Sequence, residues 1–279
     1  MLDSALPLLF ASLGALWTEL AGSLGIFIEG FMSLGSFFTY CLMVKTDSIV
    51  ASCLLSALVC AALGFLSAVF VQASAVNPFI AGLALNLAAD GLTNTLSQIW
   101  FGAKGVLRNG FFFEIPARAG SLQMSFAASA AICFVLSAFL VHRTRFGLRL
   151  RASGLSAPAA EERGVNPARH QIAAWTLAAM LAGIGGSYLM LRVGAYTPGG
   201  VSGRGWIALA AVYLGFRSVW GVGAAAFAFA LVERAGVIAQ SVRGLPPTAL
   251  LGVPSALALV FYAASCAVRE KRRRRGNAP

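Results

Sequence analysis

Long apolar stretches alternate along the chain with short polar interruptions. Residues 49–71, 121–141, 171–191 and 244–268 contain no charged side chain. A helix of about 20 residues, rising about 1.5 Å per residue, crosses a hydrocarbon core of about 30 Å, so each of these stretches predicts a membrane-spanning helix. Further apolar stretches lie at 4–18, 20–44 (interrupted by Glu29), 77–103 (interrupted by Asp90), 205–216 and 218–232. Segments of about 12 to 15 residues are short enough to be re-entrant, so the expected count is about 8 to 9. The predicted fold class is all-α, a polytopic transmembrane helical bundle. One membrane domain is expected over residues 1–268, followed by a basic tail at 269–279.

Glycine and proline punctuate these segments. Asn77 followed by Pro78 predicts a helix start, with Asn as the N-cap and Pro preset for the first helical position. Gly22, Gly25 and Gly30 crowd the second segment and Gly183, Gly185 and Gly186 the sixth, while Gly199, Gly200, Gly203 and Gly205 precede the seventh. Such clusters let membrane helices approach closely, or mark a helix broken near a substrate path. Pro254 is expected to kink the last segment.

Composition agrees: 58% of residues are hydrophobic and 11% charged, too little polar surface to enclose a soluble core. The net charge of +11 would suit nucleic acid if it were spread over one face, but it sits in two places. The loop 142–170 holds Arg143, Arg145, Arg149, Arg151, Arg163 and Arg169 against Glu161 and Glu162. The tail holds Arg269, Lys271, Arg272, Arg273, Arg274 and Arg275 against Glu270. Basic clusters beside membrane segments mark the cytoplasmic side. Four segments separate loop from tail, an even number, so both are expected in the cytoplasm and the N-terminus outside. The tail is expected to contact anionic lipid, and no nucleic-acid partner is expected. Residues 1–7 have no basic n-region, so a cleavable leader is not expected.

Catalytic patterns are scarce. His142 and His170 belong to no HExxH motif, and neither a GxSxG elbow nor a GxxxxGK[ST] phosphate loop occurs. The GxGxxA spacings starting at Gly203 and Gly221 follow no soluble strand and carry no dinucleotide prediction. Cys41, Cys53, Cys60, Cys133 and Cys266 lie within or at the ends of apolar segments with no ligand spacing, and read as small apolar residues. No enzyme activity, metal or bound cofactor is expected of this chain.

Ionisable groups inside apolar segments are the better lead, because a charge at the bilayer centre costs at least about 2.5 kcal/mol unless paired or solvated. Glu29 and Asp90 are the deepest. Asn86, Asp90 and Asn94 follow one another at i, i+4 spacing and form one polar stripe, either an interhelical clamp or the lining of a translocation path. Glu29 follows the glycine-rich break and is placed to accept backbone N–H groups from a broken helix. Glu233 and Arg234 are expected near an outer end, where long side chains snorkel. Arg192 and Arg204 flank a loop containing Tyr196, Pro198, Gly199 and Gly200, suited either to a docking partner or to interface anchoring. Within the basic loop, Ser156, Pro158, Glu161, Glu162, Arg163 and Gly164 stand in the order of a short capped helix. That helix is either a docking element or a solvated connector.

Several runs together resemble a known family. LLFASLGAL from Leu8 and IEGFMSLGSF from Ile28 are similar to the opening of permease subunits from the branched-chain amino acid, simple sugar and nucleoside branch of bacterial ABC importers. NPFIAGLALN from Asn77 and ADGLT from Ala89 resemble the nucleoside-type members. TRFGLRLRASG from Thr144, with Ala159, Ala160 and Gly164, resembles the segment that contacts the ATPase, and GRGWIALAA from Gly203 fits the same pattern. Two positions differ: Gly25 stands where the family usually has asparagine, and Leu155 where glutamate commonly follows the loop's Ala-x-Gly.

The resemblance, running from about residue 8 to 215, implies a transport subunit of the bacterial inner membrane with no ATPase of its own. Its implied partners are an ABC ATPase that binds ATP and magnesium, a second permease forming a heterodimer, and an extracytoplasmic solute-binding protein. The implied cargo is a nucleoside, with purine nucleosides foremost; a simple sugar or branched-chain amino acid is the alternative, and an autonomous secondary transporter a further one. The implied coupling loop includes Arg149, Arg151, Gly154, Ala159, Ala160, Glu161 and Gly164. Glu29, Asn86, Asp90 and Asn94 are the substrate-path candidates.

Overall fold

Helix after helix begins where a side chain can take up free backbone N–H groups. The computed structural model describes residues 2–102, 105–108 and 119–243. Its helices are α1 (Leu2–Leu20), α2 (Ile28–Thr46), α3 (Ile49–Ser74), α4 (Pro78–Phe101), α5 (Ala119–Arg143), α6 (Arg145–Leu155), α7 (Ala157–Glu162), α8 (Pro167–Val193), α9 (Arg204–Leu214) and α10 (Val219–Arg243). Ser48, Asn77, Thr144, Ser156 and Asn166 cap α3, α4, α6, α7 and α8, and Pro follows the cap within the first turn of α4, α7 and α8. No strand occurs among the described residues; one isolated bridge pairs Leu107 with Tyr196. The segment 244–268 with Pro254 and Cys266, and the tail 269–279, lie outside the described residues.

Among the described residues four helices are long and apolar enough to cross a membrane: Ile49–Ser74, Gly120–Arg143, Pro167–Val193 and Val219–Gly236. The described helices otherwise follow the predicted segments closely. The chief refinement is in depth. α1 and α2 are buried almost throughout, whereas α3 and α5 expose Leu54, Leu58, Phe65 and Phe70, and Ile132, Val135, Leu136 and Phe139. An apolar helix buried all round belongs at a bundle centre, and one exposing large apolar side chains belongs against lipid.

α8 is the hub, packing against α1, α2 and α3. Glycines set its spacing. A Cβ on Gly35 would strike the carbonyl oxygen of Gly183, and one on Gly186 that of Met32. Small residues permit this closeness, and hydroxyls then bridge it: Ser36 Oγ donates to the Gly186 oxygen at 2.7 Å and Thr39 Oγ1 to Ser187 Oγ at 2.7 Å. The close-packing reading therefore holds for the Gly183, Gly185 and Gly186 cluster.

α9 is different. Its 11 residues cover about 16 Å, half of a hydrocarbon core. It begins beside the start of α2 and ends where Tyr213 Oη donates to Glu19 Oε2 at 3.1 Å, at the end of α1. The loop from Gly194 to its start dips into the protein, with Tyr196 1% exposed and in edge contact with Phe37 at 5.2 Å.

A junction of two broken helices as the candidate functional site

The break between α1 and α2 follows from the glycines at 22 and 25. Gly22 sits at φ +75, and a Cβ on Gly25 would collide with Thr18 Oγ1. The asparagine common in the family at that second position has no room here. The chain turns back and restarts as α2 inside the bundle, where the Phe27 ring packs at a tilt against Trp175 at 4.4 Å, about two turns into α8.

A helix starting inside the protein leaves free N–H groups that water does not reach. Asn86 of α4 closes this start. Its Oδ1 accepts from the Gly30 N–H at 2.8 Å and its Nδ2 donates to the Ile26 oxygen at 2.8 Å, with the residue 8% exposed. Both faces of the amide are used, so Asn86 is the interhelical clamp. Asn86→Leu leaves two buried backbone groups without partners, each costing about 1–3 kcal/mol. Denaturation of the purified protein in detergent should show that loss, whereas wild-type stability would contradict the clamp.

Glu29 performs the matching task for α9. Its Oε1 accepts from Gly203 N–H at 2.8 Å and its Oε2 from Gly205 N–H at 2.6 Å. A carboxylate suits the positive end of a helix, and the expected reception of N–H groups from a broken helix is what the structure shows. Gly205 is obligatory, because a Cβ there would sit 2.6 Å from the Glu29 nitrogen. Two interrupted helices thus meet, one start held by Asn86 and the other by Glu29.

The expected stripe on α4 divides. The buried line runs through Gly82, Asn86, Ala89, Thr93 and Ser97, while Asp90 and Asn94 are exposed. The reason is helical drift: four residues turn about 40° beyond a full circle, so the stripe starts inside at Asn86 and emerges at Asp90 and Asn94.

Glu233 has a partner that the sequence did not announce. It pairs with Arg204 at 2.5 Å, and Arg204 also donates to the Val201 oxygen at 3.1 Å. Arg204 and Glu233, with Arg192, Thr197 and Ser202, line a cavity of about 430 Å³. Arg192 donates to the Asp3 oxygen at 3.4 Å. Spacing along the sequence gave no signal for the Arg204 to Glu233 pair, because the partners stand on different helices. Among the described residues no group of His, Cys, Asp and Glu is arranged to hold a metal.

At the Arg-rich end of the bundle α6 and α7 form a helical unit, of which α7 is the predicted short capped helix. Ser156 Oγ accepts from Ala159 N–H at 3.4 Å and Gly164 ends the turn at φ +73. Ala160 is buried, whereas Arg149, Ala159, Glu161 and Gly164 are exposed and Leu155 is 87% exposed. Arg151 and Gly154 are partly buried. Sequence reading missed that α6 is a helix in its own right, although Thr144 at its cap was visible.

The chain matches the family model for the branched-chain amino acid transport system / permease component over residues 1–264. The nucleoside ABC transporter permease protein NupC of Lactococcus lactis is 27% identical over 263 residues, 88% of this chain and 83% of its own length. The guanosine ABC transporter permease protein NupQ of Bacillus subtilis is 25% identical over 280 aligned residues, 92% of this chain and 87% of its own. A putative glucose ABC transporter permease protein, TsgC13 of Haloferax volcanii, is 26% identical over 221 residues, 75% of this chain and 67% of its own. No solved structure matches. A family match that spans the broken-helix junction, the α6–α7 unit and the long apolar helices alike places this helical membrane protein in the branched-chain amino acid transport system / permease component family.

Proposed function

We propose that the chain is one permease subunit of a bacterial ABC importer that carries nucleosides, purine nucleosides foremost, across the inner membrane. The observation that carries this reading is the likeness to NupC and NupQ over 88% and 92% of the chain, more than the 75% aligned with the putative glucose permease. The energy comes from hydrolysis of magnesium-bound ATP on a separate ATPase subunit; a second permease and an extracytoplasmic solute-binding protein complete the assembly. On this reading the α6–α7 end with its arginine cluster lies in the cytoplasm, the N-terminus lies outside, and 8 to 9 segments lie in the membrane.

The exposed α6–α7 unit is the ATPase contact, offering Arg149, Leu155, Ala159 and Glu161 to a groove on that partner. Asp90 and Asn94 line the path. A carboxylate facing lipid costs at least about 2.5 kcal/mol, so the exposed side of α4 faces water or the second permease instead. Glu29 and Asn86 hold the helix starts that form the wall behind it.

Shortening residues 156–164 is expected to abolish nucleoside uptake while membrane insertion is retained; uptake that survives the change contradicts the coupling role. A simple sugar or branched-chain amino acid is the second reading, favoured by the family description and the TsgC13 likeness. Ligand binding by the partner solute-binding protein separates the two cargo classes, because that protein delivers the ligand.

A further inference from the structure

α6 packs against α5 and α8, and through Gly154 it meets the α1–α2 turn at an unusually close seam. A Cβ on Gly154 would strike the Leu20 carbonyl oxygen and lie 2.8 Å from the Gly22 nitrogen, and a Cβ on Gly22 would lie 2.8 Å from the Gly154 Cα. Backbone rests on backbone, with no side chain between to absorb movement. Residues 21–27 are in turn tied in several directions. Ala21 oxygen accepts from Gln171 at 3.4 Å, Ser23 Oγ from Trp175 Nε1 at 2.8 Å, and Ile26 oxygen from Asn86 at 2.8 Å. Two residues beyond the turn, Glu29 holds the start of α9.

We infer that the α1–α2 turn, seated through Gly22 on Gly154, transmits movement of the α6–α7 unit to the broken-helix junction, with Gly22 as the positioning residue. This rests on the proposed ATPase contact at α6–α7. Packed cores shift between discrete arrangements rather than deform, so a seam without compliant atoms passes displacement on. A displaced turn moves the Ile26 and Gly30 partners of Asn86 and the carboxylate that anchors α9 together.

The test uses the chain assembled with its ATPase, companion permease and binding protein in proteoliposomes. Gly22→Ala pushes the seam apart and also strains a left-handed residue. Gly102→Ala, at φ +67 with nothing within 4 Å of the added Cβ, carries the strain without the seam. Gly22→Ala is expected to co-purify with the ATPase and hydrolyse ATP near the wild-type rate while nucleoside import falls about tenfold or more. Gly102→Ala is expected to keep both activities. Import at the wild-type rate in Gly22→Ala, or hydrolysis and import lost in equal proportion, overturns the inference. A wild-type chain that recovers no ATPase overturns the importer reading, and the inference with it. If Gly22→Ala fails to assemble, hydrogen exchange on the wild-type complex decides. Trapping the ATPases with ATP is expected to change protection of the amides at 23–30, and unchanged protection there overturns the proposal.

Discussion

Gly186→Val is expected to leave no folded protein in the membrane. The first atom of the new side chain falls on the Met32 carbonyl oxygen, a backbone atom of α2 that has no rotamer by which to withdraw. α2 and α8 would have to separate, giving up the Ser36 bond to the Gly186 oxygen and the Thr39 bond to Ser187. Overpacking of a core ordinarily costs about 1–3 kcal/mol, and a forced backbone separation at the hub helix exceeds that, beyond the about 5 kcal/mol at which marginal proteins unfold. Gly91→Ala is the contrast. It lies on α4 with nothing within 4 Å of the added Cβ, so it is expected to be neutral or to stabilise by up to about 1 kcal/mol. Fluorescence-detected gel filtration of detergent extracts reads both. A monodisperse Gly186→Val peak at wild-type yield would contradict the packing described.

The second large effect concerns Glu29. Glu29→Ala deprives the Gly203 and Gly205 N–H groups of their acceptor at the point where α9 starts inside the protein. Hydrogen bonds between membrane helices average only about 0.6 kcal/mol, because an unfolded chain in the membrane finds other partners. Two factors raise the figure here. Both bonds are charge-assisted, and the groups left behind are the unpaired N–H donors of a helix start, each costing about 1–3 kcal/mol. Glu29→Ala is therefore expected to cost about 2–5 kcal/mol and, with α9 unanchored, to lower import at least about tenfold. Glu29→Gln keeps one acceptor oxygen and is expected to fall between wild type and Glu29→Ala. Wild-type stability in Glu29→Ala would show that α9 is held in place by packing alone.

Much of the fold was legible because lipid imposes a simple rule: a spanning helix needs about 20 apolar residues and an internal solution for its backbone. The runs at 49–71, 121–141 and 171–191 announced α3, α5 and α8 directly, and Asn77 with Pro78 and Ser156 with Pro158 marked helix starts by local chemistry. The last segment and the tail lie outside the described residues. At the site, Glu29 was recognisable as an acid after a glycine break, but the identity of its donors was not. Residues 29 and 203 are brought together only by the packing of the whole bundle. The same holds for Arg204 with Glu233, and for Glu19 with Arg217 at 2.5 Å. Arg217 itself sits at φ +53, after Phe216 at φ +54, two left-handed residues with none of the Gly or Asn that would announce such a turn. On α4, i, i+4 spacing grouped Asn86, Asp90 and Asn94 into one stripe, leaving out the drift that separates a buried clamp from two exposed polar groups.

The central claim is that the chain moves nucleosides only as part of an ATP-driven assembly. Its most direct test is uptake of labelled guanosine into proteoliposomes containing the chain with its ATPase, companion permease and binding protein, with and without ATP, beside vesicles holding the chain alone. Accumulation by the full assembly with ATP, and in neither of the other two conditions, is the predicted result. Accumulation by the chain alone without ATP, or a complete assembly that takes up a sugar and no nucleoside, would contradict it.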